Sequence, residues 1–142
     1  LNKIEDLLNK ILDAPVGQVV AVLEEFLNGD IKLEVIEQNA VSSDQFVRKV
    51  SITAQGFPVI NANVKFDSTV LPEFIMTDLL RKKLGIGEIL NVNNIKTTRK
   101  MLSLNQDEDT ASREYQIIHN EVVWFTIIEE IKLGSLGSYN NS

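Results

Sequence analysis

Phe46 to Phe66 reads FVRKVSITAQGFPVINANVKF, two alternating runs on either side of Gln55-Gly56. Side chains along a strand point alternately to opposite faces. Phe46, Arg48, Val50 and Ile52 therefore share one face, and Val47, Lys49, Ser51 and Thr53 share the other. In the second run, Ile60, Ala62, Val64 and Phe66 supply a matching apolar face. Two such runs joined by a glycine-containing turn predict a β-hairpin with one oily side. Arg48 stands on that oily side. A guanidinium buried without an anion is costly, so either something negative meets it or the strand opens to water there.

On the N-terminal side, Ile4, Leu7, Leu8, Ile11 and Leu12 fall at helical spacing until Pro15. A second helical pattern, Val19, Val20, Leu23, Phe26 and Leu27, follows Gly17 and closes at Gly29-Asp30. IKLEVIEQ from Ile31 then alternates as a strand. Past the hairpin, Pro72 opens a helix that is expected to end before Gly85. A strand near Asn94–Leu104, an acidic loop and a last hairpin, REYQIIHNEVVWFTIIEEIK, complete the order. The expectation is one α+β domain over 1–132, an antiparallel sheet of about six strands with helices packed on one side. The glycine- and serine-rich end, 133–142, reads as a flexible C-terminal tail.

At 142 residues and 44% hydrophobic, the chain suits a single compact core. Its net charge of −6 and one short basic run, Arg81-Lys82-Lys83, disfavour nucleic acid as a partner. No apolar run approaches the roughly 20 residues that span a bilayer, so no membrane insertion and a cytoplasmic location are expected. The absence of cysteine removes disulfides, thiolate catalysis and cysteine-held metals together. No metal and no cofactor are expected. Gly85-x-Gly87 lacks the rest of a phosphate loop and reads as a turn between helices. Asp107-Glu108-Asp109 lacks the glycine and distal glutamate of a calcium loop and reads as solvated. His119, the sole histidine, falls at a hairpin tip.

The last strand holds a second anomaly. Val123, Phe125, Ile127, Glu129 and Ile131 alternate onto one face, which puts a carboxylate among hydrocarbons. Two readings follow from periodicity. Arg48 and Glu129 form a buried ion pair, or both face a polar cavity of ligand size. In the second reading the guanidinium fork suits a planar carboxylate, and the glutamate accepts a hydroxyl hydrogen bond or carries a proton.

These residues also carry a resemblance. FVRKVSITAQGFPVINANVKFDSTVLP resembles the strand-turn-strand of the chorismate lyase family. LGIGEIL resembles that family's Pro-Leu-Gly turn, TTRK its Thr-Arg element, and YQIIHNEVVWFTIIEE its closing hairpin with a glutamate. APVGQVVAVLEEFLNGDIKLEVIEQ resembles its opening turn, helix and strand. The likeness runs from about Lys10 to Lys132.

What the resemblance implies is elimination of pyruvate from chorismate to give 4-hydroxybenzoate, a carbon-oxygen lyase reaction of quinone biosynthesis that needs no cofactor. Arg48 would take the place of the carboxylate-binding arginine and Glu129 that of the hydroxyl-facing glutamate, the two catalytic candidates. Val19 and Ile86 would match positions whose backbone N–H groups hold a carboxylate, and Arg99 the Thr-Arg arginine. The partner would be a small aromatic or dicarboxylate ligand, bound by a monomer or homodimer. The alternative is a non-catalytic small-anion or effector-binding module of the same fold, like the ligand-binding domains of some transcription regulators. Chemistry without a covalent nucleophile, nucleotide or metal would rest on positioning and one proton transfer.

Overall fold

The computed structural model describes residues 3–27 and 29–140. Two helices open the chain, α1 (Lys3–Asp13) and α2 (Val19–Phe26). Three strands follow, β1 (Ile31–Ala40), β2 (Gln45–Ala54) and β3 (Phe57–Asp67). Next come α3 (Glu73–Leu80) and α4 (Ile86–Val92), then β4 (Thr98–Gln106), β5 (Thr110–His119) and β6 (Val122–Lys132), and last α5 (Leu133–Asn140). The strands form one antiparallel sheet in the order β1-β2-β3-β6-β5-β4. This is the α+β architecture that alternation predicts.

Two tight turns close the hairpins, and a one-residue shift beside each completes the register. Gln55 and Gly56 both have positive φ, 50° and 86°, as do Asn120 and Glu121, 48° and 67°. Two consecutive left-handed residues make the hairpin turn whose twist matches that of the flanking strands. The turn at Gln55-Gly56 pairs Ala54 with Phe57, and a one-residue shift between Thr53 and Ile52 then sets Val50 against Ala62 and Arg48 against Val64. The turn at Asn120-Glu121 pairs His119 with Val122, and a one-residue shift between Ile118 and Ile117 then sets Glu129 against Arg113 and Ile127 against Tyr115.

One sheet face is buried and the other wet, as antiparallel sheets allow. On the buried face, α1 and α2 share a core cluster with Ile52, Ile60, Ala111 and Ile131. Helices α3 and α4 share a second with Val64, Phe66, Phe125 and Ile127. The opposite face carries Lys49, Asn63, Lys65 and Glu130, all exposed.

Two expectations need correction. Helix α3 does end before Gly85, but at Leu80 and not at Leu84 where the run PEFIMTDLLRKKL closes, and Lys82 takes a positive φ of 57°. The carbonyl of Leu79 accepts from Lys82 N–H, which closes the helix in a tight turn. Residues 133–140, expected as part of a flexible tail, form α5, with Leu133 and Leu136 buried in the core beside α1. Burial of two leucines three residues apart outweighs the low helix propensity of the intervening glycine and serine. Residues 141 and 142 of that tail lie outside the described residues.

Candidate functional site

Between the two helix pairs the buried face is not filled. A partly enclosed cavity of about 100 Å³ remains there. Its floor is sheet: Val50 and Ile52 from β2, Ile60, Ala62 and Val64 from β3, Ile127 and Glu129 from β6, Arg113, Tyr115 and Ile117 from β5. Its roof is the loop Pro15–Gly17 with Val19 and Val20, facing Gly85, Ile86, Gly87 and Glu88.

The roof halves meet through glycine. A Cβ on Gly87 would stand 2.1 Å from the Cα of Gly17, and one on Gly17 would stand 2.9 Å from the carbonyl carbon of Gly87. Gly17 also has φ of 89°. Backbone meets backbone here, so no rotamer change relieves an added methyl group. Gly87→Ala is expected to part the two halves and destabilise the protein by about 1–3 kcal/mol, the usual cost of overpacking. The check is a urea titration; an unchanged midpoint and slope would show that the roof does not close this way.

Val19 and Ile86 are the first residues of α2 and α4, and both line the roof. The first hydrogen bonds along these helices run from Val22 N–H to the Gln18 carbonyl and from Ile89 N–H to the Gly85 carbonyl. The N–H groups before them have no partner within their own helix, the general condition of a helix start. The two starts converge over one cavity.

Three arginines surround the floor, and they differ in what they hold. Arg113, 2% exposed, donates from Nε to Glu129 Oε1 at 2.5 Å and from Nη1 to the Leu12 carbonyl at 3.2 Å. Arg99 donates from its two Nη atoms to the Ala14 and Leu12 carbonyls, both at 3.3 Å. These two guanidiniums thus cap the C-terminal end of α1, where free carbonyls favour cations. Arg48 is fully buried, and Nε, Nη1 and Nη2 have no hydrogen-bond partner among the described residues. Burial lowers its pKa to about 10, which leaves it a cation at neutral pH.

The ion pair is therefore not Arg48 with Glu129. Glu129 lies opposite Arg113 on β5, whereas β3 separates it from β2. The pattern Ala111, Arg113, Tyr115, Ile117 is inward by the same alternation that singles out Arg48, yet Arg113 escaped the sequence reading. Tyr115 lies with its ring 4.9 Å from the Arg113 guanidinium and 5.5 Å from that of Arg99. Burial first, and then the Glu129 carboxylate, pushes its phenol well above the usual range, and its hydroxyl hydrogen-bonds Glu129. It is a donor, not a base.

Of the candidates from sequence, Val19, Ile86, Arg99 and Glu129 all line the cavity. Arg48 is not among the residues that line it. Its strand neighbour Val50 and its cross-strand partner Val64 are lining residues. Arg48 and Glu129 are two strands and one two-residue step apart on the same face, roughly 12 Å between Cα atoms at ordinary sheet spacing. Beside Arg48 on β1, Gln38 is buried; its Nε2 donates to the Leu79 carbonyl at 2.9 Å, and its Oε1 is unpaired. Neither His119 nor the acidic loop reaches this site. His119 Nδ1 lies 2.9 Å from the Lys96 carbonyl, and Asp107 Oδ1 accepts from the N–H groups of Asp109 and Thr110, both at 2.8 Å, to shape the β4–β5 turn.

Comparison with known proteins gives two findings. The chain is 29% identical to "Putative lyase MJ0807" of Methanocaldococcus jannaschii, over 91% of this chain and 81% of that protein. Its fold superposes on a GntR-family transcriptional regulator from Bacillus cereus with a TM-score of 0.50 and 11% identity, over 72% of this chain and 91% of the other. No family model matches the sequence. The first is a distant similarity of sequence and the second a likeness of fold alone. Among the described residues, no helix is long and apolar enough to cross a membrane.

Proposed function

We propose that the chain is a binding domain for a small aromatic or dicarboxylate anion, held in the cavity between the sheet and the two roof halves. The observation that carries this reading is Arg48, a fully buried cation with three unpaired donor atoms. An empty guanidinium of this kind is stabilised when a carboxylate takes its fork, and the bidentate geometry gives direction as well as energy. Arg99 and Arg113 already serve backbone carbonyls and Glu129, whereas Arg48 has no hydrogen-bond partner among the described residues and would be the anion receptor. The N–H groups at Val19 and Ile86 would face the same carboxylate from the roof. At the far end of the ligand, Glu129 would accept a hydroxyl hydrogen bond, since Arg113 and Tyr115 already hold it in place. An apolar floor of Ile52, Ile60, Val64 and Ile127 suits a flat ring between these polar ends.

A second reading is supported by the similarity to the archaeal lyase along most of both chains. In that reading the bound anion is chorismate, and Glu129 handles the ring hydroxyl or a proton while pyruvate is eliminated and 4-hydroxybenzoate forms. The reaction breaks the ether C–O bond and draws its driving force from aromatisation. The protein's share would be positioning and exclusion of water. Incubating the purified protein with chorismate and measuring 4-hydroxybenzoate separates the two. A rate at the uncatalysed background supports the binding domain. Turnover above it that falls at least tenfold in Glu129→Gln supports the lyase.

A further inference from the structure

The outer strand β4 is exposed along nearly its whole length, apolar positions included: Met101 44%, Leu102 44% and Leu104 52% exposed. An open edge of this kind offers a row of unpaired N–H and C=O groups to another strand. The other edge, β1, is more heavily charged: Lys32, Glu34 and Glu37 are exposed along it beside one exposed apolar residue, Ile36. We infer that β4 is a self-association edge, and that its occupant is β4 of a second copy of this chain, paired antiparallel about a twofold axis between Leu102 and Ser103.

The register follows from an irregularity in β4 itself. Its pairing with β5 shifts between Met101 and Ser103, so Leu102 is an extra residue. Arg99 and Met101 lie opposite Ile117 and Tyr115, whereas Leu104 and Gln106 lie opposite Arg113 and Ala111, and all four are thereby on the cavity side of the sheet. Without the extra residue, Met101 and Leu104 would point to opposite faces. With it, a twofold pairing sets Met101 against Leu104 of the second copy, twice, and Arg99 against its Gln106. The two exposed apolar shoulders then cover each other on one face. A closed twofold interface of this type is self-complementary by construction.

Charge is polarised to match. Lys96 and Lys100 lie at the start of β4, exposed, and Asp107, Glu108 and Asp109 follow its end, also exposed. In the antiparallel register, Lys100 lies diagonal to Asp107 of the second copy, just past the end of its β4. A parallel arrangement would instead stack like charges, which directly opposed strands disfavour. An edge pairing alone buries an area at the low end for specific complexes, below about 1,200 Å² in total, so the dimer forms and dissociates with concentration.

Sedimentation velocity on the full chain, from micromolar to near-millimolar, tests this. The wild type is expected to shift from monomer to dimer across that range. Leu104→Lys, on an exposed shoulder, and Lys100→Glu should each raise the dissociation constant at least tenfold, with circular dichroism and melting temperature unchanged. Ile36→Lys, on the opposite edge, should leave it as it is. A wild type that stays monomeric throughout, a Leu104→Lys protein that dimerises as well as wild type, or dissociation by Ile36→Lys would each overturn the assignment.

Discussion

Arg113→Met is expected to lower stability by about 3–5 kcal/mol, the largest effect of any single change at this site. The substitution keeps much of the side chain's volume and removes its charge. It leaves the Glu129 carboxylate, 8% exposed, without the guanidinium it accepts from, and leaves the Leu12 carbonyl at the end of α1 with Arg99 alone. An uncompensated buried charge costs far more than the net worth of the pair that contained it. The double variant Arg113→Met, Glu129→Leu should therefore recover most of the loss. Urea unfolding of the wild type, both single variants and the double variant measures the coupling directly. Additive losses would mean that the two side chains do not meet in solution.

Arg48→Met should act in the opposite direction. In the ligand-free protein, burial of an unpaired cation is a standing cost, so an apolar side chain of similar length is expected to stabilise by about 1–4 kcal/mol. The pH dependence carries the same sign. Arg48 has a folded pKa of about 10, below its ordinary value, so the native state releases this proton before the unfolded chain does. The cost is fully present below about pH 10 and eases as pH rises beyond it, and the gap between variant and wild type should narrow there. A residue that costs stability at rest and is retained for what it binds is the usual trade at functional sites. Thermal melts at neutral and alkaline pH check both points; a less stable Arg48→Met protein at neutral pH would show that Arg48 already has a partner.

Much of this arrangement is legible in the sequence because it is local. The turns at Gln55-Gly56 and Asn120-Glu121 mark two hairpins, and alternation along β2 and β6 puts Arg48 and Glu129 on the buried face, although the one-residue shift in each hairpin leaves no mark in the sequence. What alternation does not carry is the order of strands across the sheet. Whether Glu129 meets Arg48 or Arg113 depends on β3 lying between β2 and β6 and on β5 lying beyond, both long-range pairings. Applying the same period to ASREYQII would have placed Arg113 inward, but not named its partner. The α5 segment misleads for another reason: LGSLGSYN has the composition of a tail, and only contact with α1 and β3 gives Leu133 and Leu136 somewhere to go. The roof contact between Gly17 and Gly87 is equally silent in sequence, since two glycines seventy residues apart show nothing of their approach until the fold brings them together.

The most direct test of the account is calorimetric titration of 4-hydroxybenzoate, a flat ring with a carboxylate at one end and a hydroxyl at the other, into wild type and Arg48→Met at neutral pH. If Arg48 is the anion receptor of the cavity, the wild type binds with one site per chain, and the variant, though folded and more stable, loses binding by tenfold or more. Equal affinity in the two proteins would contradict the account, because the carboxylate would then be held elsewhere and the buried guanidinium would have no role in binding.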